Sequence, residues 1–284
     1  MKFNIYKDIK LFYKDTYESL IKDETQNPIM LSNIKMGNEE LNKIDWRNPI
    51  NWLMATISTN NKIVLIALMT PPFKLLLFCE NNNELLDFFI EKLIENNIEI
   101  PGINAINELA IIFSKKYTKL TNKSFIINND LRLHELTKVN NVPNIGTIRQ
   151  ANINDLYFLP YWFSDMEKSF GYKKEPISNY IERITYQIST NKIFLLEDNN
   201  IPVSMVKIDR ELITTCSINA VYTPPFFRSK GYATSLVSKA SQIILDRGFK
   251  KAILYTDLAN PISNSIYKKI GYIPVLDQKE IEFL

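Results

Sequence analysis

The residues best suited to chemistry lie in one stretch of the chain. Arg228-Ser229-Lys230-Gly231-Tyr232-Ala233-Thr234 comes after a strand-like run closed by Thr223-Pro224-Pro225 and opens a helical pattern over residues 231–247. A helix start presents unpaired backbone N–H groups and a partial positive charge. Gly231 lets the backbone approach a bound group, Ala233 keeps the first turn slim, and Arg228 and Lys230 add charge. That combination suits a diphosphate. Further on, Asn260-Pro261 opens another helix, and Tyr267 stands seven residues after the Asn. Residues seven apart share a helical face, so Asn260 and Tyr267 can line one cleft with the Arg228 loop. Asn260 also suits a helix N-cap.

The elements that must hold these residues are read from periodicity. Residues 147–151 read as a strand, 154–170 and 177–190 as helices, and 193–197, 203–208 and 213–222 as strands. After the 231–247 helix come a strand at 252–256, a helix at 263–270 and a last strand near Ile281. The first half is also mixed. Its first 24 residues read as a helix ended by the turn Asn27-Pro28, and strands come next at 52–58 and 63–69 around Asn60-Asn61. Helices at 85–98 and 106–120 are joined by a connecting segment after Pro101-Gly102, and strand resumes at 125–139. Thr70-Pro71-Pro72 closes a first-half strand as Thr223-Pro224-Pro225 closes one in the second half, which suggests a repeat. The adjoining Phe73-Lys74-Leu75-Leu76-Leu77 lacks glycine and suits a buried strand rather than a phosphate cradle. The domains are read as 1–143 and 144–284, joined through Asn140-Asn141-Val142-Pro143-Asn144.

Composition narrows the classes. With 45% hydrophobic and 23% charged residues, the 284-residue chain belongs with folded proteins. A net charge of +3 with no basic stripe gives no support to nucleic-acid binding. Two cysteines and one histidine give neither a disulfide framework nor a Cys- or His-rich metal centre. No apolar run approaches the roughly 20 residues of a membrane helix, and the start lacks a secretory pattern. The expectation is a cytoplasmic monomer or homodimer with no metal and no membrane partner. Cys216 reads as a small buried residue, His134 as a structural or surface residue rather than a base, and Trp46, Trp52 and Trp162 as packing residues. Trp162 with Tyr161 and Phe163 is an alternative wall for an acceptor pocket.

The stretch resembles the GNAT superfamily of acyl-CoA N-acyltransferases. The family's pyrophosphate loop, Gln/Arg-x-x-Gly-x-Gly/Ala, fits Arg228 to Ala233, and its later Asn, Tyr and Gly-aromatic pattern fits Asn260, Tyr267, Gly271 and Tyr272. The resemblance covers about residues 147–284. It implies an α/β (α+β) fold of two GNAT-like lobes, each with a mixed, mostly antiparallel sheet flanked by helices. The first lobe is diverged and has no CoA loop. In the second, two parallel strands at 213–222 and 252–256 splay apart around acetyl-CoA.

By that resemblance Val221 and Thr223 pair with the pantetheine arm. Arg228, Ser229, Lys230, Gly231, Tyr232, Ala233 and Thr234 hold the diphosphate, with Asn260, Ser263 and Tyr267 completing the cofactor site. The Val221 N–H polarises the acetyl carbonyl, and Tyr267 protonates the departing thiolate. The implied reaction is direct acetyl transfer to a primary amine, most simply on a small molecule. Many family members carry a Glu on the strand ahead of the loop, but residues 213–220 hold no carboxylate. A water chain, Asp165 or Glu167 then remains for the base. The competing reading is an acyl-CoA-binding sensor without turnover.

Overall fold

The computed structural model describes residues 1–39, 48–79, 82–169, 171 and 175–284; Trp46 lies outside them. The chain divides into two compact units. One comprises residues 1–133, 256–259 and 275–284, the other residues 134–255 and 260–274. The sequence pattern alone places the boundary after residue 143 and keeps the last strand in the second domain. No local pattern marks that strand's destination, because strand pairing is a long-range property.

The first unit opens with β1 (Lys2–Tyr6), α1 (Ile9–Ile21), α2 (Pro28–Asn38), β2 (Leu53–Thr59), β3 (Lys62–Met69) and β4 (Leu75–Cys79). It continues through α3 (Asn83–Glu95), β5 (Gly102–Ile106), α4 (Asn107–Thr121) and most of β6 (Phe125–Leu136). β1 to β4 pair antiparallel in sequence order. β4 and β5 pair parallel at Leu75 with Ile103 and Leu76 with Asn104.

The first residues are strand before helix. Phe3 to Tyr6 pair with Ile57, Thr56, Ala55 and Met54 of β2, and Asp8 then caps α1 through Lys10 N–H. Pro28 does not end structure but starts α2, since the first helical position needs no N–H. The segment after Pro101 is the strand β5, not a connector. The core of this unit joins Leu65, Leu86, Phe89, Phe113 and Tyr117 to Ile281 and Phe283.

Those last two residues lie on β12 (Ile273–Phe283). It pairs antiparallel with β5, from Gln278 opposite Ile106 to Glu282 opposite Gly102. A Cβ at Gly102 would sit 2.1 Å from the Ile281 carbonyl oxygen, so only glycine admits this approach. Lys74 reaches Glu280 at 2.8 Å, and Arg132 grips Asp277 with two bonds of 2.6 and 2.9 Å.

The second unit repeats the order: β7 (Thr147–Gln150), α5 (Leu159–Ser169), α6 (Ile177–Ser189), β8 (Ile193–Asp198), β9 (Ile201–Asp209), β10 (Thr215–Tyr222), α7 (Tyr232–Asp246), β11 (Lys251–Asp257) and α8 (Pro261–Ile270). β7 to β10 pair antiparallel in order, and β10 pairs parallel with β11. Residues 153–157 form a 3-10 turn, so α5 starts later than its periodicity predicts. Arg149 spans Glu197 and Asp155 at 2.6 and 2.7 Å and fixes β7 to that turn.

Among the described residues, two cores lie in this unit. One gathers Cys216, Ile218, Tyr232, Leu236, Val237, Tyr267 and Tyr272; the other holds Leu159, Phe163, Tyr180, Leu195, Met205 and Tyr222. The fold is thus mixed α/β, with mostly antiparallel strands and two parallel pairs. Among the described residues, no helix is long and apolar enough to cross a membrane.

Candidate acyltransferase site

β10 is shaped by two irregularities. It pairs with β11 at Thr215, Cys216 and Ser217 only, opposite Lys251, Ala252 and Ile253, and the ladder stops there. Against β9, Asn219 pairs with Lys207 and Tyr222 with Met205, so Ala220 and Val221 together oppose Val206. This is a β-bulge, with Ala220 at φ +50. It bends β10 where the ladder to β11 has ended. The expected splay is therefore built, and Val221 stands at the bend.

Past the bulge the chain is fixed from both sides. The Ser204 hydroxyl donates to the Tyr222 carbonyl at 3.0 Å and lies 2.8 Å from the Thr223 hydroxyl. The Arg228 Nε donates to the Thr223 carbonyl at 2.9 Å, and its guanidinium lies 5.9 Å from the Tyr222 ring centroid. Arg228, Ser229, Lys230 and Gly231 are all exposed. The Lys230 ammonium sits 5.1 Å from the Phe226 ring centroid.

Gly231 is the N-cap of α7 at φ +82, and no side chain caps the helix start. The first-turn N–H groups of Tyr232, Ala233 and Thr234 precede the first intrahelical bond, which Ser235 donates to the Gly231 carbonyl at 3.0 Å. The equivalent start of α3 is closed by its own sequence. Asn82 Oδ1 accepts from the N–H groups of Glu84 and Leu85, and Glu84 places a carboxylate in the first turn. One helix start offers its N–H groups outward and the other satisfies them internally.

The remaining expected residues divide by role. Asn260 caps α8, its Oδ1 accepting from Ser263 N–H at 3.2 Å, while Ser263 Oγ donates to the Asn260 carbonyl at 3.0 Å. Tyr267 is buried in the core that also contains Tyr232, with Val221 and Phe227 packed against it. Burial pushes its phenol up to about 12. Its ring meets Tyr272 edge-on at 6.0 Å. The Tyr232 side chain turns inward and donates to Asp198, leaving only its backbone N–H at the helix mouth.

Cys216 is fully buried, its thiol directed at the Asp209 carbonyl at 3.6 Å and pushed up to about 12 by burial. His134 and Trp52 are likewise buried. Among the described residues no group of three His, Cys, Asp or Glu side chains is placed to hold a metal ion.

The two candidate carboxylates of α5 separate clearly. Glu167 accepts from the Tyr180 hydroxyl at 2.8 Å and from Arg183 at 3.0 Å, a structural arrangement. Asp165 instead accepts from the Tyr222 hydroxyl. Burial and then that bond push the Tyr222 phenol up to about 12. Asp165 lines a cavity of about 380 Å³ with Tyr161, Ser164, Lys168 and Ile177. Trp162 packs on Phe158 and Tyr222, at 4.6 and 6.1 Å between ring centroids, and Phe163 is core. Of the three aromatic residues considered for an acceptor wall, Tyr161 alone lines the cavity. Sequence reasoning misses Ser164, Lys168, Ile177 and the Tyr222 link. The i, i+3, i+4, i+7 spacing of Tyr161, Ser164, Asp165 and Lys168 marks one helical face and is the signal that could have found Ser164 and Lys168.

A parallel pair whose ladder stops early, a bulged strand and an uncapped glycine helix start thus lie together at one end of β10. Residues 159–272 match the Acetyltransferase (GNAT) family. An uncharacterized N-acetyltransferase of Methanocaldococcus jannaschii is 24% identical over 160 residues, covering 54% of this chain and 68% of the relative. Three solved structures share the fold over nearly the whole chain. A GNAT acetyltransferase from Colwellia psychrerythraea has a TM-score of 0.57 at 12% identity, covering 100% of this chain and 99% of its own. A Drosophila protein has a TM-score of 0.67 at 13% identity, covering 99% and 98%. A GCN5-related N-acetyltransferase from Sphaerobacter thermophilus has a TM-score of 0.63 at 10% identity, covering 99% and 95%.

Proposed function

We propose that the protein transfers an acetyl group from acetyl-CoA to a primary amine by direct attack. The observation that carries this reading is the arrest of the β10–β11 ladder at Ser217, together with the bulge at Ala220 and Val221 and the uncapped start of α7. Open strand edge suits an amide-bearing pantetheine arm. A glycine N-cap with outward N–H groups suits a diphosphate, so the residues present fit acetyl-CoA. Val221 and Thr223 would take the arm. Ser229, Gly231, Tyr232, Ala233 and Thr234 would take the phosphates through backbone, with Arg228 and Lys230 adding charge. Asn260 and Ser263 would shape the rim beside Tyr267.

Bound acetyl-CoA supplies an acyl group already activated as a thioester. The Val221 N–H, held by the bulge, donates to the acyl oxygen as negative charge develops there. The amine attacks as the free base, its proton passing to water in the cavity that Asp165 lines. The C–N bond forms, the C–S bond breaks, Tyr267 gives its phenolic proton to the departing sulfur, and the phenolate takes a proton back from water once CoA has left. A phenol at about 12 is fully protonated at neutral pH and ready to donate.

The test is thiol release from acetyl-CoA across a panel of primary amines. Release that depends on an amine, with an N-acetyl product, supports the reading. Tight acetyl-CoA binding without release from any amine overturns it in favour of a sensor.

A further inference from the structure

The α5–α6 cavity places two opposite charges on one helical face. Asp165 and Lys168 both line it, with the Ser164 hydroxyl beside them and Tyr161 and Ile177 as walls. Asp165 is fixed, because one carboxylate oxygen accepts from Tyr222, a buried residue next in sequence to Val221. The ammonium of Lys168 pairs with no carboxylate among the described residues, whereas Glu167 beside it is already taken by Arg183 and Tyr180. Three residues along a helix rise about 4.5 Å, so Asp165 and Lys168 spring from positions less than one turn apart on α5. The hollow of about 380 Å³ is open to solvent on one side, with Tyr161, Asp165 and Lys168 exposed at its rim.

We propose that this cavity is an acceptor subsite for short amino acids, molecules whose primary amine and carboxylate are a few bonds apart. Resting on the acetyl-transfer reading above, the assignment has Asp165 receive the ammonium end near Tyr222 and Val221. Lys168 and Ser164 receive the carboxylate. Simple alkylamines satisfy only Asp165. Diamines set their second ammonium against Lys168 and are disfavoured by like charge. Lys168 is thereby a specificity-determining residue and Asp165 the group that orients the amine.

The test compares 4-aminobutyrate, butylamine and putrescine as acceptors, by kcat/KM from thiol release. The wild-type protein is expected to prefer 4-aminobutyrate over butylamine by about tenfold and to use putrescine least. In Lys168→Glu the 4-aminobutyrate to putrescine ratio should fall by at least tenfold, carried by KM. In Asp165→Asn, KM should rise for all three. An unchanged ratio in Lys168→Glu, or a wild-type preference for putrescine, overturns the proposal while leaving acetyl transfer standing. A second readout is independent of turnover. Trp162 sits against Tyr222 beside the cavity, so 4-aminobutyrate should quench its fluorescence saturably in the wild type and not in Lys168→Glu. Quenching without thiol release keeps the subsite and defeats the transfer reading; absence of quenching overturns the subsite.

Discussion

Replacing Gly231 tests the diphosphate cradle and separates it from folding. Gly231 has φ +82, a region that side chains with a Cβ enter at about 1–2 kcal/mol. An added Cβ would meet one atom only, Ile145 Cδ1 at 3.0 Å, the far end of a side chain that can yield a few tenths of an ångström. The folding cost of Gly231→Ala is therefore conformational, about 1 kcal/mol, a shift of roughly 2–4 °C in Tm. Gly231→Asn should recover most of that loss, because Asn tolerates the left-handed region. Binding obeys a different rule. Any side chain at the N-cap crowds the mouth of α7, where the outward N–H groups are. Both variants, and Gly231→Val more severely, should bind acetyl-CoA at least tenfold more weakly, about 1.4 kcal/mol. Calorimetry and thermal melts on the same samples give the two quantities. A folded Gly231→Val protein with wild-type acetyl-CoA affinity would refute the cradle, whatever its Tm.

Three further outcomes are expected. Tyr267→Phe should lower kcat by about 10²-fold with little change in acetyl-CoA binding; since the phenol is raised to about 12, the wild-type kcat should show no loss from Tyr267 ionisation up to about pH 10, and a titration near pH 8 removed by this variant would contradict the assignment. Titration should give one acetyl-CoA per chain, because the α3 start is capped by Asn82 and Glu84; two equivalent sites would defeat this. Gly102→Ala should destabilise the first unit by several kcal/mol, because its Cβ meets backbone at 2.1 Å and cannot be relieved by a rotamer change; an unaltered melting curve would contradict the β5–β12 register.

The features legible in the sequence are local ones. Asn260 caps α8 and Gly271 ends it at φ +114, as Asn before Pro and Gly before Tyr announce. Asn60-Asn61 and Asn199-Asn200 turn their hairpins with positive φ, a conformation Asn accepts. The α7 mouth is announced by Gly231 itself, at the junction of a strand and a helical pattern. The failures are equally physical. β1 reads as helix because Ile5 and Ile9 continue the spacing of Phe12, while pairing with β2 decides the outcome. β5 is hidden by Pro101-Gly102, where glycine reports the approach of β12 rather than a turn. The bulge at Ala220 has no glycine to announce it. Asp165 and Glu167 are equal carboxylates in the sequence, and only their partners Tyr222 and Arg183 tell them apart.

The pairing of β12 with β5 sets an order of assembly. The first unit draws residues 275–284 into its sheet and core, so it lacks an interior strand until those residues have been synthesised. Most of that unit leaves the ribosome first, yet its sheet is completed by residues at the far end of the sequence. During translation the β5 edge, including buried Ile103 and Ala105, stays open to other strands. A nascent chain stopped short of residue 275 should thus be more prone to aggregate than one carrying β12. Removal of residues 275–284 should damage the unit that lacks the candidate acyl-CoA loop.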